Sequence, residues 1–162
     1  LPTVNGVEQA PGREFASADA VYACDDLTAS VTVDIASAYP ADAAIDTWSR
    51  AFRLERGNSV TVTDSYELRG AGAPVTWNLI TACDATILPD GVIALEETSL
   101  ASGRTSGAGR LHYDSQALEA TVEELPIEDS RLANIWGSRL SRIVLTTREP
   151  TQHGSCAVRV TR

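Results

Sequence analysis

The chain has 162 residues, among them 22 acidic side chains, 13 arginines, no lysine and no methionine, for a formal net charge of -9. Its 43% apolar and 22% charged residues exclude a disordered or membrane-embedded chain, and a domain of this size buries roughly 70% of the surface its unfolded form exposes. The acidic balance sets nucleic acid and anionic membranes aside as partners, because the long-range electrostatic term is repulsive.

In chain order the predicted elements are mostly strands. Residues 20–25 form the first. From 29 to 35, Ala29, Val31, Val33 and Ile35 alternate with Ser30, Thr32 and Asp34, the period of a strand with one buried face. A single helical turn fits 41–45, after Pro40. Segment 47–55 puts Trp48, Phe52 and Leu54 on one face, segment 59–68 does so with Val60, Val62, Tyr66 and Leu68, and segment 75–81 with Val75, Trp77 and Leu79. Further strands fall at 91–97, 109–114, 117–125, 140–147 and 155–161, and the Gly/Ser/Thr-rich stretch 101–109 reads as a mobile surface loop. One helix is expected over 129–137, capped by Asp129 or Ser130, striped by Leu132, Ile135 and Trp136, and closed by Gly137. The spacing predicts an all-β fold: a two-layer antiparallel β-sandwich with one short helix near 129–137, as a single domain over 1–162. The chain opens at Leu1, from which we expect a piece of a longer protein, its compartment left open.

If Arg56-Gly57-Asn58 connects a hairpin, residues equidistant from Gly57 face each other: Trp48 with Tyr66, Phe52 with Val62, Leu54 with Val60, and Arg50 with Asp64. An arginine and an aspartate then share an otherwise apolar face. The expected role is a cross-strand salt bridge that satisfies both charges; the other reading is the floor of a sugar- or carboxylate-binding groove.

Cys24, Cys83 and Cys156 form no CxxC or Cys/His cluster and are read as buried thiols. His112 and His153 lack helical metal-site spacing, so no metal or other cofactor is expected in this chain. Nucleophile-elbow, P-loop and dinucleotide signatures are absent. His112 and Tyr113 are strand neighbours, which point to opposite faces, so an exposed histidine beside a core tyrosine is expected rather than an acid/base pair. Glu119, Glu123, Glu124, Glu128 and Asp129 read as a solvated face. Trp48 and Trp77 are expected in the core, and Trp136 as a core or helix-to-sheet anchor unless it offers a sugar-stacking surface.

The N-terminal run Val4-Asn5-Gly6-Val7-Glu8-Gln9, followed by Ala10-Pro11-Gly12-Arg13, resembles the V-[ND]-G-x-x-Q stretch that follows an HN dipeptide in heparinase II/III-like polysaccharide lyases. The likeness continues in order through the 48–68 hairpin with Arg50 and Asp64, the 75–81 strand, Leu111-His112-Tyr113-Asp114, and Asp129-Ser130-Arg131-Leu132 leading to Trp136-Gly137. The resemblance implies the C-terminal β-sandwich of an enzyme whose α/α toroid cleaves uronate-containing glycans by β-elimination. In that family the catalytic tyrosine, histidine and asparagine, and any divalent metal, belong to parts ahead of the matching stretch, so no catalytic residue carries over to a position here. The implied partner is the protein's own N-terminal catalytic domain, with an acidic polysaccharide as a further candidate.

The family motif near the cleft leaves Asn5 and Gln9 as candidate substrate contacts, with a tight turn as their alternative role. A carbohydrate-binding module is the competing function. It would draw on the arginines concentrated near the C-terminus, Arg139, Arg142, Arg148, Arg159 and Arg162, with Arg142 as the candidate contact. A docking or dimerisation domain is the third.

Overall fold

The computed structural model describes residues 1–70 and 72–162. It is an all-β sandwich of two antiparallel sheets. Twelve strands are described: β1 (Pro2–Thr3), β2 (Ala18–Cys24), β3 (Thr28–Asp34), β4 (Ile45–Glu55), β5 (Ser59–Leu68), β6 (Thr76–Thr81), β7 (Asp84–Leu88), β8 (Val92–Glu96), β9 (Gly109–His112), β10 (Leu118–Pro126), β11 (Arg139–Thr147) and β12 (His153–Thr161), with one α-helix, α1 (Ser130–Trp136). The smaller sheet runs β1-β6-β11-β10 and the larger β2-β3-β4-β5-β12-β9-β8-β7. Every strand predicted from alternation is present, with ends shifted by a few residues. β1 and β7 were not predicted; the turn expected at 41–45 is the 3-10 turn Ala41–Ala43, and a second 3-10 turn, Ala36–Ala38, precedes Pro40 without having been predicted.

The central hairpin has the register expected from its turn. Trp48 faces Tyr66, Arg50 faces Asp64, Phe52 faces Val62 and Leu54 faces Val60. Continuing outward, β12 sets Cys156 opposite Asp64 and Val158 opposite Val62, while β3 sets Val33 opposite Arg50 and Val31 opposite Phe52. Alternation thus gives the larger sheet one apolar face, and the core forms where the smaller sheet covers it. Trp48, Val75, Ile93, Ile143 and Leu145 are fully buried between the layers. Each such side chain stabilises the fold by about 1.5–3 kcal/mol through removal of apolar surface from water.

Eight strands are wider than four, so the smaller sheet covers only part of that face. Phe52 is 40% exposed, although it shares its face with Trp48, and Tyr22, which aligns with it through Val31, is 65% exposed. All seven residues of β2 are exposed. This corrects the reading of Cys24 as a buried thiol: it lies on β2, beyond the reach of the smaller sheet, whereas Cys83 and Cys156 are buried.

α1 begins where its cap predicts. The Asp129 side chain accepts from the backbone N–H of Arg131 and Leu132, and Gly137 follows the last turn. Its apolar stripe is nonetheless uncovered, with Leu132, Ile135 and Trp136 all exposed. The expectation of Trp136 as a core anchor is therefore overturned. β10 and β11 are antiparallel neighbours, paired up to Pro126 and Arg139, so α1 is part of their connection and lies beyond the end of the sheet rather than across its face.

Candidate functional site

The strongest concentration of polar chemistry in the core surrounds Asp64. Arg50 donates to it in bidentate fashion, Nε to Oδ1 and Nη2 to Oδ2, each at 2.8 Å. Trp48 Nε1 donates to Oδ1 at 2.9 Å and Trp77 Nε1 to Oδ2 at 2.7 Å. Trp48, Arg50 and Asp64 belong to the larger sheet and Trp77 to the smaller, so one carboxylate fastens the two layers. Tyr66 stacks on Trp48 with ring centroids 4.7 Å apart, and Trp77 tilts against both at 6.2 Å. Each carboxylate oxygen accepts two strong donors, which leaves Asp64 no role as a base or metal ligand that would not break the fold. A hollow of about 320 Å3 opens beside this pair, walled by Phe52, Val62, Leu79, Ile80 and Val158.

The N-terminal motif is built as a turn. Val4 and Val7 exchange backbone hydrogen bonds of 2.9 and 2.8 Å, and the two residues between them, Asn5 and Gly6, have φ of 51° and 78°. Positive φ at both central positions is the signature of a type I′ turn, which favours Asn-Gly. The Asn5 amide donates to the carbonyls of Ala43 and Gly70 and accepts from the N–H of Gly72 and Ala73. Asn5 thus pins three segments together, and its hydrogen-bonding groups point into the fold. Gln9 is half-buried downstream of the turn.

Arg142 lies elsewhere. It faces Ile80 on β6, whereas the chain leading to Asn5 leaves β6 at Thr76, four residues away or about 13 Å along a strand. Asn5 and Arg142 therefore do not converge. Arg142 pairs with Glu123 across the outer face of the smaller sheet, and Arg139 pairs with Asp84 and Glu124. Arg148 donates to the Ser115 carbonyl. Much of the C-terminal arginine concentration is thereby neutralised or occupied within the chain.

His112 is half-buried, which corrects the expectation of an exposed histidine, while Tyr113, also half-buried, packs against the core as expected. His112 Nε2 lies 3.2 Å from Thr161 Oγ1. Glu119, Glu123, Glu124, Glu128 and Asp129 are exposed. Among the described residues, no group of three or more His, Cys, Asp or Glu side chains is placed to hold a metal ion.

Trp136 differs from its two buried counterparts. It is 42% exposed and stands between two hollows, one of about 170 Å3 beside Asp84 and Arg139, the other of about 570 Å3 beside Leu100, Ser102 and Arg104. Arg104 carried no signal in the sequence, because only the path of its loop brings it to α1.

No family model and no curated protein matches this chain. Among solved structures it is similar to the heparan sulfate lyase HepC from Pedobacter heparinus, with a TM-score of 0.62 and 8% identity over 90% of this chain and 21% of that one. A mutant of the same lyase matches with the same TM-score and coverage at 9% identity. This chain thus spans about a fifth of the length of the lyase it matches, and at such identity the likeness is one of fold.

Proposed function

We propose that this sandwich is the supporting, non-catalytic β-sheet domain of a heparinase II/III-like polysaccharide lyase, whose separate catalytic domain performs β-elimination on uronate-containing glycans. The observation that carries the reading is the fold likeness to a heparan sulfate lyase over 90% of the chain. The order of resembling segments along the sequence supports it, as does the commitment of Asp64, Arg50 and Asn5 to holding the fold. In this reading any divalent metal is held by the catalytic domain. The uncovered part of the larger sheet, with Phe52, Leu54 and Val60 exposed, is the face that meets that domain. An apolar sheet face left open is a marker of association.

The test is an assay of the purified chain on heparan sulfate and other uronate-containing glycans, following the ultraviolet absorbance of unsaturated uronate. No signal is expected, and a signal from this chain alone overturns the non-catalytic role. The same open face favours a second reading, a self-association domain. Light scattering separates the two: a monomer supports docking to a catalytic domain, and a dimer lost in Phe52→Ser supports self-association.

A further inference from the structure

We propose that the hollow between α1 and the 98–106 loop is a binding site for one acidic sugar residue of a glycan, its ring stacked on Trp136 and its carboxylate set against Arg104. The first observation is the indole itself. Trp48 and Trp77 are buried with their N–H groups donated to Asp64, whereas Trp136 keeps 42% of its surface exposed at the edge of a hollow of about 570 Å3. That volume lies within the roughly 300–1,000 Å3 range of small-ligand sites.

The lining has the amphipathic character of a pyranose. Leu100, Ile135 and Trp136 provide an apolar side for the C–H face of a ring, and Ser102, Arg104 and Ser106 provide a polar side for hydroxyl and anionic groups. The Ser106 hydroxyl accepts from the Thr98 N–H at 2.8 Å, and its own proton remains available to donate.

The loop is already organised. Leu100 N–H donates to the Arg104 carbonyl at 2.8 Å, Ser106 N–H to the Thr98 carbonyl at 2.9 Å, and Ser102 N–H to the Ile135 carbonyl on α1 at 3.2 Å. A pre-formed site avoids the ordering cost of assembling one on binding.

Charge selects the kind of sugar. Arg131, Arg139 and Arg142 each pair with a carboxylate, whereas no carboxylate among the described residues pairs with Arg104. In a chain of net charge -9, an unpaired guanidinium beside an exposed indole marks where a single anionic group is welcome. A fixed arginine fork matches carboxylate geometry.

The inference stands independently of the lyase reading, since a sandwich without a catalytic partner could still hold a sugar here. The experiment titrates the purified chain with a uronate-containing tetrasaccharide and with its carboxyl-reduced neutral form, reading tryptophan emission and calorimetric affinity. Because Trp48 and Trp77 are buried, a surface ligand that changes the emission reports on Trp136. Wild-type protein should show a saturable change; Trp136→Ala should lose it and bind at least about tenfold more weakly, and Arg104→Ala should fall to the affinity of the neutral sugar. Thermal melting confirms that both variants remain folded. The proposal is overturned if the uronate sugar does not bind at millimolar concentration, if Trp136→Ala binds as tightly as wild type, or if the neutral and acidic forms bind alike. None of these outcomes bears on the unsaturated-uronate assay.

Discussion

Two regions of the molecule set tryptophan beside arginine, and they differ in everything else. At the centre, Trp48, Trp77 and Arg50 spend their donors on one buried carboxylate, Asp64. At the end of the β10–β11 connection, Trp136 and Arg104 border an open hollow. The first arrangement holds two sheets together because every polar group in it is satisfied inside the protein, and the second is available for binding because its groups are not. Residue type is shared; what separates architecture from recognition is whether the hydrogen-bonding capacity is already used.

The largest test of this contrast falls on the centre. Asp64→Ala leaves the Arg50 charge and two indole N–H groups buried without their acceptor, and a broken buried pair costs about 3–5 kcal/mol. Urea denaturation should show that loss or no folded protein at all, and an unchanged midpoint would mean the cluster does not fasten the sheets. Gly154→Ala probes the same region by volume. A Cβ there would lie 2.3 Å from the Tyr66 hydroxyl, which is stacked on Trp48 and within 3.0 Å of Thr151 Oγ1, so the ring has little room to yield. A loss of about 1–3 kcal/mol is expected, as for overpacking elsewhere, and a neutral result would show that the Tyr66 ring shifts freely.

The two regions were not equally legible in the sequence. The central hairpin declares itself because strand alternation and a three-residue turn with glycine at its middle fix which residues face each other; Arg50 opposite Asp64 follows from counting. The helix start was legible from Asp129, yet the burial of α1 was not, because an apolar stripe reports periodicity and says nothing of what covers it. β1 is two residues long and β7 lies at the edge of its sheet, too short or too exposed for alternation to mark. The exposure of Cys24 was hidden for the same reason, since the unequal widths of the two sheets appear nowhere in local pattern. Asn5 was legible as a turn residue, but its contacts with Ala43, Gly70, Gly72 and Ala73 depend on segments far along the chain.

A milder test uses alkaline pH. Burial pushes the Cys156 thiol from 9.0 up to about 12, with the nearby Asp64 charge adding to the effect. Burial likewise raises the Tyr39 phenol from 10.0 to about 12, and its hydroxyl donates to the Pro2 carbonyl at 2.8 Å. Folded values above the unfolded ones mean that the native state favours the protonated forms. Their contribution is intact below about pH 9 and is lost as pH rises toward about 12. The urea midpoint should therefore fall between about pH 8 and about pH 10.5, and a flat profile would contradict the burial of both groups. Thiol titration at neutral pH adds a count: Cys24 should react promptly, and Cys83 and Cys156 only on unfolding.

The smallest effect is expected at α1, where it is most discriminating. Leu132 is 50% exposed, on a helix with no buried residue, and the helix is held at its base by the Ile127 N–H donating to the Ser138 carbonyl at 2.8 Å. Leu132→Ser should change unfolding free energy by no more than about 0.5 kcal/mol, the range of surface substitutions. Ile143→Ser, at a site 1% exposed between the sheets, should cost at least about 3 kcal/mol by removing packed volume and burying an unpartnered hydroxyl. If the Leu132 variant instead lost about 2 kcal/mol or more, as a core truncation does, α1 would be a covered element in solution. Trp136 would then be architectural like Trp48, and the distinction between the closed centre and the open end would collapse.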